Sequence, residues 1–401
     1  MGRLVAIALL VGCYDPTVQP GLPCGEGDAC PRGFVCVPTG TCEVDPASVP
    51  DAGVEPDGST AACTRDSDCD GGCHELTGIC FAPGQTLYAA PMGTGTACMR
   101  MAPCDLGEAV RQIAANRTAI VLAPGVYDDV LMLSADVVVS GPSRDPADAT
   151  LTGTNTAVFV SDGATAVIEG VTLRSDKYGI ETRGTTTLAR VAIRETREIG
   201  AVLRGGTLRV LDSHILDART SGILADTGML EVERTVITGN DAYGIRITGA
   251  GFSITSTIIA DNGSMSASAG GGVRIAGVAS ATSVFRFNTV ARNSAGGLGT
   301  AAAGVQCDRP MTIESSIIAF NTTLFTSQIG PECSAEDSLF DSGGVPGNLR
   351  GDPMFVGAND YHLQPGSPAR DAATGTPPAL DVDGEPRPSG AAADIGADEL
   401  P

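Results

Sequence analysis

The chain has 401 residues but no tryptophan, and aromatic residues make up only 4% of it. A large globular enzyme with a core of Phe and Trp would rarely have so few aromatic side chains. Basic residues are also scarce, because 25 Lys and Arg stand against 47 Asp and Glu, for a formal net charge of −22. An acidic surface repels phosphate backbones, so we expect no nucleic-acid partner, while divalent cations and neutral sugars remain compatible.

The N-terminus carries a short apolar run at residues 4–11, preceded by Arg3. This run is too short to cross a bilayer and predicts an export signal. The sequence Leu-Val-Gly-Cys at 10–13 resembles the bacterial lipobox, which implies cleavage before Cys13 and a diacylglycerol thioether on its sulfur. Tyr14, in place of Asp, then favours the outer membrane or cell surface of a Gram-negative bacterium. The alternative is an ordinary signal peptide that ends in a Cys by chance.

Cysteine is plentiful, with 13 residues in the chain. Setting Cys13 aside leaves an even number of cysteines in groups of four, four, two and two, which in an exported chain predicts six disulfides. The connectivity within each group of four stays open. Zinc binding is the alternative, but no C-x2-C pair is present. The groups are Cys24, Cys30, Cys36 and Cys42; Cys63, Cys69, Cys73 and Cys80; Cys98 and Cys104; Cys307 and Cys333.

Composition shifts divide the chain. We expect a signal peptide at 1–13, a Cys-rich module at 14–43, a Pro/Asp/Gly-rich linker at 44–60, a second Cys-rich module at 61–84, a repeat domain at 85–340 and a C-terminal segment at 341–401. Both modules resemble the small disulfide modules that follow the anchor in surface lipoproteins. Within the second, residues 66–71 match the first half of a calcium loop, but Thr77 stands where the loop needs Glu, so we predict no cofactor and keep calcium as the alternative.

A repeat of about 22 residues dominates the middle of the chain. A Gly followed by an aliphatic residue or Ala recurs from Gly179 to Gly304, an aliphatic row runs from Leu173 to Ile318, and a third row comprises Val210, Val232 and Ile254. Asn240, Asn262, Asn293 and Asn321 each follow the aliphatic row by three residues. Three short strands per unit predict an all-β fold, a parallel β-helix of roughly nine coils between 118 and 340. Its Asn side chains would lie in stacked left-handed turns, where their amides can hydrogen-bond along the stack. A sandwich of hairpins would not keep this register.

One short helix is predicted ahead of the repeat. Asp105 can cap it, Glu108 follows three residues later, and the apolar residues between 106 and 114 lie on one helical face. We expect this helix to cover the end of the first coils.

The last sixty residues are the most distinctive. Residues 352–372 and 380–400, the latter reading LDVDGEPRPSGAAADIGADEL, resemble the C-terminal signature of right-handed β-helix proteins of the choice-of-anchor Q type, and residues 315–321 resemble the preceding coil. The resemblance implies a right-handed, single-stranded parallel β-helix, a pectin-lyase-like solenoid, on an exported or surface-attached protein.

The fold's enzymes act on polysaccharides, so their motifs are relevant. The set of Asp and His motifs typical of polygalacturonase-like hydrolases is absent, and no motif places the base and calcium ligands of a lyase. The three His are His74, His214 and His362. We predict that His214 is an exposed strand residue and assign no catalytic residue.

One constellation remains as a candidate binding site. Lys177, Arg197, Arg219 and Asp241 each lie four residues after the aliphatic row, and Tyr178 and Tyr243 occupy equivalent turn positions. The functional interpretation is a groove in which a basic row binds an acidic glycan and the tyrosines stack on sugar rings. The alternative is a solvated turn edge of mixed charge.

These observations predict a lipid-anchored surface β-helix protein that is not an enzyme and acts in adhesion, envelope organisation or glycan binding. The membrane, through the lipid on Cys13, and polysaccharide are the expected partners. The alternative is a membrane-tethered polysaccharide lyase or hydrolase acting on an acidic glycan.

Overall fold

The fold is taken from a computed structural model of the chain, whose contacts divide it into two units, 1–59 and 60–401. In the first unit, Leu22–Pro23, Phe34–Cys36 and Thr41–Val44 form a small antiparallel sheet. In the second, the structure describes residues 63–401 except 64–65, 75, 266–269, 278–282, 297–301, 325–326 and 344. The predicted signal, Cys13 and the linker lie outside the described residues, as do the side chains of the first four-Cys group.

Residues 86–350 form a parallel β-helix, which confirms the predicted fold class. Each of eight complete coils contributes one strand to each of three sheets, and two shorter coils follow. The first sheet comprises Thr86–Ala89, Ala119–Leu122, Val137–Ser140, Thr165–Glu169, Thr185–Ala189, Thr207–Leu211, Met229–Glu233, Gly251–Thr255, Val284–Arg286, Met311–Glu314 and Cys333–Glu336.

The second sheet comprises Gly125–Tyr127, Ala149–Gly153, Thr172–Ser175, Ala192–Arg194, His214–Leu216, Val236–Thr238, Ile258–Ala260, Thr289–Ala291, Ile317–Ala319, Leu339–Phe340 and Leu349–Arg350. The third comprises Leu131–Leu133, Thr156–Val160, Tyr178–Thr182, Ile199–Leu203, Ser221–Ala225, Tyr243–Ile247, Gly271–Ile275 and Val305–Cys307. A short fourth sheet adds Gly263–Ser264, Ser294–Ala295 and Thr322–Thr323.

The predicted aliphatic rows are continuous ladders in the interior. Leu173, Ile193, Ile215, Ile237 and Ile259 are register partners in the second sheet, and each is at most 1% exposed. Val210, Val232 and Ile254 stack in the same way in the first sheet. Because strands stack about 4.8 Å apart, an aliphatic side chain meets its counterpart one coil away and excludes water from the coil interior.

The Asn row forms a buried ladder of amide hydrogen bonds, as predicted. Nδ2 of Asn240 donates to Oδ1 of Asn262 at 2.8 Å, and Nδ2 of Asn262 donates to Oδ1 of Asn293 at 3.0 Å. The second residue of the third-sheet strands beside this ladder is a glycine, and it belongs to the arrangement: a Cβ on Gly222 would lie 2.7 Å from the Gly244 carbonyl oxygen and 2.9 Å from Asn240 Nδ2.

The conformational part of the Asn prediction was wrong. The left-handed residue of each turn is the one before the Asn, for example Gly239 at φ 69° and Asp261 at φ 54°. An Asn side chain that must reach the next coil is directed along the stack, and the preceding residue makes the turn instead.

A second polar ladder lies at the turn between the first and second sheets, and no pattern in the sequence predicted it. The Thr257 N–H donates to Asn288 Oδ1 at 3.1 Å, the Asn288 N–H to Ser316 Oγ at 3.1 Å, and the Ser316 N–H to Ser338 Oγ at 3.1 Å. Its members change type from coil to coil, so no repeated residue marks the row.

The helix at the N-terminal end spans Leu106–Arg111, and Asp105 accepts its capping hydrogen bond from the Glu108 N–H at 2.7 Å. It buries Leu106 and Ala109 in the main core cluster. It is shorter than the predicted apolar face, which continues to Ala114 beyond the helix. Single-turn 3-10 helices occupy Asp66–Asp68, Pro83–Gln85 and Pro146–Asp148.

The second Cys-rich segment packs on the first sheet. Its strands Cys73–His74 and Ile79–Cys80 pair antiparallel, and disulfides join Cys63 to Cys73 and Cys69 to Cys80. Glu169, buried on the first sheet, accepts from the Leu76 N–H and the Ser140 hydroxyl, both at 2.8 Å, and faces His74 Nδ1 at 3.2 Å. Burial alone would raise the pKa of Glu169, but these contacts outweigh it and lower the pKa.

Two further disulfides are formed as the grouping predicted, Cys98 with Cys104 and Cys307 with Cys333. The predicted disulfides of Cys24, Cys30, Cys36 and Cys42 lie outside the described side chains.

Residues 352–401 form no helix or strand in the described part of the chain, only isolated bridges such as Phe355 with Leu363. They cover the outer face of the second sheet over its last coils, where Leu363 and Ile395 join Ile258 and Ile317 in a second core cluster. Buried carboxylates hold this irregular backbone: Asp381 accepts from the N–H groups of residues 383, 385 and 399 at 3.0, 2.7 and 3.1 Å.

Candidate functional site: a charged groove beside the second sheet

The predicted binding residues lie in the turns between the second and third sheets. Tyr178, Ile199, Ser221 and Tyr243 are register partners at the start of the third-sheet strands. The residues two positions earlier in each coil, Asp176, Arg197, Arg219 and Asp241, therefore form one column along this edge, and all four are exposed.

Lys177 does not belong to that column, which corrects the sequence prediction. The third-sheet strand begins five residues after Leu173 but six residues after Ile193 in the next coil, so counting four residues from Leu173 overshoots the column by one position. Lys177 instead lies beside Glu198, whose N–H donates to the Lys177 carbonyl oxygen at 3.1 Å. A hydrogen bond with Tyr178 and the charge of Glu198 raise the pKa of the Lys177 ammonium.

Tyr178 and Tyr243 share a column, as predicted, but they are only 8% and 6% exposed. The Tyr243 hydroxyl accepts from Arg274 Nη1 at 3.4 Å, and the Lys177 Nζ lies 4.7 Å from the Tyr178 ring centre. This packing leaves little ring surface open to solvent, so the predicted stacking of sugar rings on these tyrosines is not supported.

A groove of about 530 Å³ lies at this edge, and its lining comes from four successive coils. It includes Asp176 and Arg197 from the predicted column, but Arg219 and Asp241 lie outside it, one and two coils further on. Its lining residues are Asp128, Thr152, Gly153, Thr154, Arg174, Ser175, Asp176, Glu195 and Arg197.

Carboxylates pair with both cations of the groove. Arg197 Nε lies 3.1 Å from Asp176 Oδ1, and Arg174 forms an ion pair with Glu195. Asp128 accepts from the Thr152 hydroxyl at 2.7 Å. Three carboxylates against two guanidinium groups give the lining a net negative charge, so the predicted basic row is replaced by a surface of alternating sign.

This arrangement suits hydrogen bonding better than acid–base chemistry. Guanidinium N–H groups donate and carboxylate oxygens accept, so neighbouring hydroxyls of one ligand can meet both kinds of partner. A lyase of the expected kind needs an unpaired base beside the substrate, and each groove Arg already faces a carboxylate.

Sequence reasoning missed Asp128, Arg174 and Glu195. Glu195 occupies the left-handed position of its turn, at φ 56°, and Arg174 lies on the outer face of the second sheet. Charged residues at outward positions next to the predicted column could have indicated these three residues. The early coils differ in length, however, so their positions cannot be aligned by counting along the sequence.

The other predicted positions lie away from the groove. His214 is exposed on the second sheet, where partial desolvation lowers its pKa. In the segment compared with a calcium loop, Arg100 Nη2 lies 3.2 Å from Asp66 Oδ1, so a guanidinium occupies one side of that carboxylate.

His362 lies in the C-terminal segment among three carboxylates. Its Nδ1 faces Asp360, and its Nε2 lies 2.8 Å from Asp383 Oδ2. A carboxylate oxygen of Asp398 lies within 4.8 Å of ligand atoms of His362 and Asp383. Burial lowers the pKa of His362, but the hydrogen bonds to Asp360 and Asp383 and the nearby carboxylate charges raise it overall, to about 9.

In the part of the chain that the structure describes, no helix has both the length and the apolar character needed to cross a membrane.

Comparison with known proteins bears on the fold. The family described as "Right handed beta helix region" matches residues 199–351. Among solved structures, pectate lyase Pel9A is similar with a TM-score of 0.57 at 14% identity, over 79% of this chain and 96% of that chain. No curated protein sequence matches this chain.

A tailspike protein from an Acinetobacter baumannii bacteriophage, described as a capsular polysaccharide depolymerase, gives a TM-score of 0.35 at 11% identity, over 65% of this chain and 59% of that chain. A similarity this low supports no argument. The stacked parallel sheets, the family match and the similarity to pectate lyase Pel9A together identify the chain as a right-handed parallel β-helix protein.

Proposed function

We propose that this protein is a lipid-anchored β-helix protein of the bacterial surface, of the choice-of-anchor Q type, that binds polysaccharide without cleaving it. The groove between Asp128 and Arg197 carries the proposal, because it is a wide polar surface on a rigid stack of coils. The β-helix fold that the chain shares with a pectate lyase supports a polysaccharide as the class of ligand.

The charge pattern of the groove supports a ligand rich in hydroxyls. A sugar ring carries vicinal hydroxyls that both donate and accept, and the pairs Arg174–Glu195 and Arg197–Asp176 offer one acceptor and one donor each. Because the lining is negative overall, a neutral polysaccharide fits it better than an acidic one, which carboxylates would repel.

Arg197→Ala is expected to weaken polysaccharide binding about tenfold, because it removes a charge-assisted donor from the groove. Arg219→Ala is the matched control, since Arg219 is exposed in the same column but does not line the groove. Binding is measured by calorimetry against a panel of neutral polysaccharides, pectins, alginates and glycosaminoglycans, with the exported full chain carrying Cys13→Ser.

Equal affinities of the Arg197→Ala and Arg219→Ala proteins would remove the groove from the proposal. Release of shorter products from any polymer, with or without calcium, would replace the binding function with the alternative of a tethered lyase or hydrolase.

The anchor rests on the lipobox-like sequence at 10–13, which lies outside the described residues. Two or three acyl chains bury enough methylene groups for stable anchoring. We therefore expect Cys13→Ser to move the protein from the membrane fraction to the soluble fraction of the producing bacterium. Fractionation with immunoblotting measures this, and a Cys13→Ser protein that stays in the membrane fraction would disprove lipidation at Cys13.

A further inference from the structure

His362, Asp383 and Asp398 bring one nitrogen and two carboxylate donors together in the C-terminal segment. One ligand atom from each residue lies within 4.8 Å of the other two. Three separate stretches of chain supply them, and none of the three residues lines the groove. The proposed glycan binding makes no use of them.

The imidazole of His362 is oriented with its outer nitrogen, Nε2, against a carboxylate. A carboxylate only accepts hydrogen bonds, so Asp360 on Nδ1 requires the proton to be on Nδ1. Nε2 then lies 2.8 Å from Asp383 Oδ2. In the metal-free protein a proton on Nε2 fills this contact, and a metal ion bound there takes the place of that proton.

Asp360 occupies the position of a metal site's supporting carboxylate. Metal-binding His residues commonly donate their other ring N–H to a carboxylate, which fixes the tautomer and the ring orientation. His362 is also held by its backbone, since its carbonyl oxygen accepts from the Val356 N–H at 2.9 Å.

The two carboxylates are positioned as well. Asp398 is only 6% exposed, and one of its oxygens accepts from the Leu363 N–H at 2.7 Å. The Asp383 N–H donates to Asp381 Oδ1 at 3.0 Å, and the buried Asp381 carboxylate also accepts from the Glu385 N–H in the same turn. One face of the set is therefore fixed in the protein, and the half-exposed His362 and Asp383 side chains leave a path from solvent.

The donor set selects the class of ion. Calcium and magnesium prefer oxygen ligands alone, whereas imidazole nitrogen with carboxylates suits Zn²⁺ and similar ions. Ligands about 2.1 Å from Zn²⁺ lie roughly 3 to 3.4 Å from each other. The Nε2 and Oδ2 atoms would need to separate by only a few tenths of an ångström.

We propose that His362, Asp383 and Asp398 bind a divalent transition-metal ion of the Zn²⁺ type, with Asp360 as the positioning residue for the imidazole. The ion joins the stretches around residues 362, 383 and 398, and in this way it staples the C-terminal segment. That segment has no helix or strand in its described residues after Leu349–Arg350, and the sequence has no Cys after Cys333. A metal cross-link supplies what disulfides supply at the other end of the chain.

Calorimetric titration of the metal-free full chain carrying Cys13→Ser with ZnCl₂ tests the proposal. We expect one equivalent to bind, His362→Gln to weaken binding at least about tenfold, and Asp360→Asn to weaken it about 10- to 100-fold, as for a supporting carboxylate. His214→Gln is the control, because that exposed His lies on the second sheet away from the set, and its affinity should be unchanged.

The His362 side chain is half-exposed, so the His362→Gln protein is expected to fold. It therefore tests the proposal even if a substitution of buried Asp398 prevents folding. The metal-free melting temperature of Asp360→Asn should match that of the parent, which separates positioning of the ligand from a general structural role. No Zn²⁺ binding, equal binding in His362→Gln, or stronger binding of CaCl₂ than ZnCl₂ would overturn the proposal. None of these results bears on the groove, whose test uses polysaccharides.

Discussion

Replacing Asn262 with Leu is expected to lower the free energy of unfolding by about 3 to 5 kcal/mol. Oδ1 of Asn262 accepts from both the Asn240 N–H, at 3.1 Å, and Asn240 Nδ2, at 2.8 Å. Asn262 is fully buried, so water cannot replace these bonds. Leu has a similar volume, and the loss therefore comes mainly from buried donors left without an acceptor.

Denaturant unfolding followed by circular dichroism measures the effect, since the chain has no tryptophan to report by fluorescence. Asn359→Leu is the matched control, because Asn359 is exposed in the C-terminal segment and its replacement should change stability by less than about 0.5 kcal/mol. If the two variants unfold at the same denaturant concentration, the amide ladder does not stabilise the coils.

The Asn ladder also shows why this fold could be predicted from sequence. A stacked coil places residue i against residue i+22, so an interior position repeats the same requirement in every coil. The aliphatic row repeats because each coil needs an apolar side chain to pack inside, as at Ile215 and Ile237. The Gly row repeats because a Cβ has no room there, as at Gly222 and Gly244. Where the requirement is only for a small hydrogen-bonding group, as at Thr257, Asn288 and Ser316, several residue types satisfy it and the row is not visible.

The candidate site could be predicted only in part, because surface turns carry no such constraint. A turn can be shorter by one residue without disturbing the pairing of the strands on either side, as the one at Lys177 is, and the count along the sequence then places the wrong residue in the column. Asp128 and Arg174 come from early coils whose lengths differ from 22 residues, so no periodic argument could bring them to Arg197. Ion pairing, which changes the sign of the groove, depends on rotamers and cannot be predicted from spacing.

The structure of the C-terminal segment could be predicted least from the sequence, because the segment has no repeat. Its resemblance to a known signature implied that it belongs with the β-helix, and this choice-of-anchor Q assignment stays a prediction. The sequence did not indicate what the segment's many acidic residues do. The structure shows that buried Asp381, Asp394 and Glu399 accept hydrogen bonds from backbone N–H groups that no regular secondary structure satisfies. Contacts of this kind have no period, and only the folded chain shows them.

Arg387→Met is expected to destabilise the C-terminal segment by about 3 to 5 kcal/mol, the range for breaking a buried ion pair from one side. The Arg387 and Glu399 side chains are both 0% exposed, with Nε 3.6 Å from Oε2. Arg387 Nη1 also donates to the Gly396 carbonyl oxygen at 2.9 Å, and its guanidinium carbon lies 5.3 Å from the Phe287 ring centre. Burial lowers the pKa of Arg387. For the same reason water cannot solvate the Glu399 carboxylate once Arg387 is removed, so the unpaired charge destabilises the segment.

The segment should then separate from the second sheet before the coils unfold, because few regular backbone hydrogen bonds hold it. Hydrogen exchange of residues 352–401 measures this, with Arg370→Met as control, since Arg370 is half-exposed in the same segment. Arg387→Met combined with Glu399→Gln should exchange more slowly than Arg387→Met alone, because Gln removes the unpaired charge while its oxygen still accepts one of the two backbone N–H groups that Glu399 binds. Exchange in Arg387→Met as slow as in Arg370→Met would show that the carboxylate hydrogen bonds hold the segment without the buried cation.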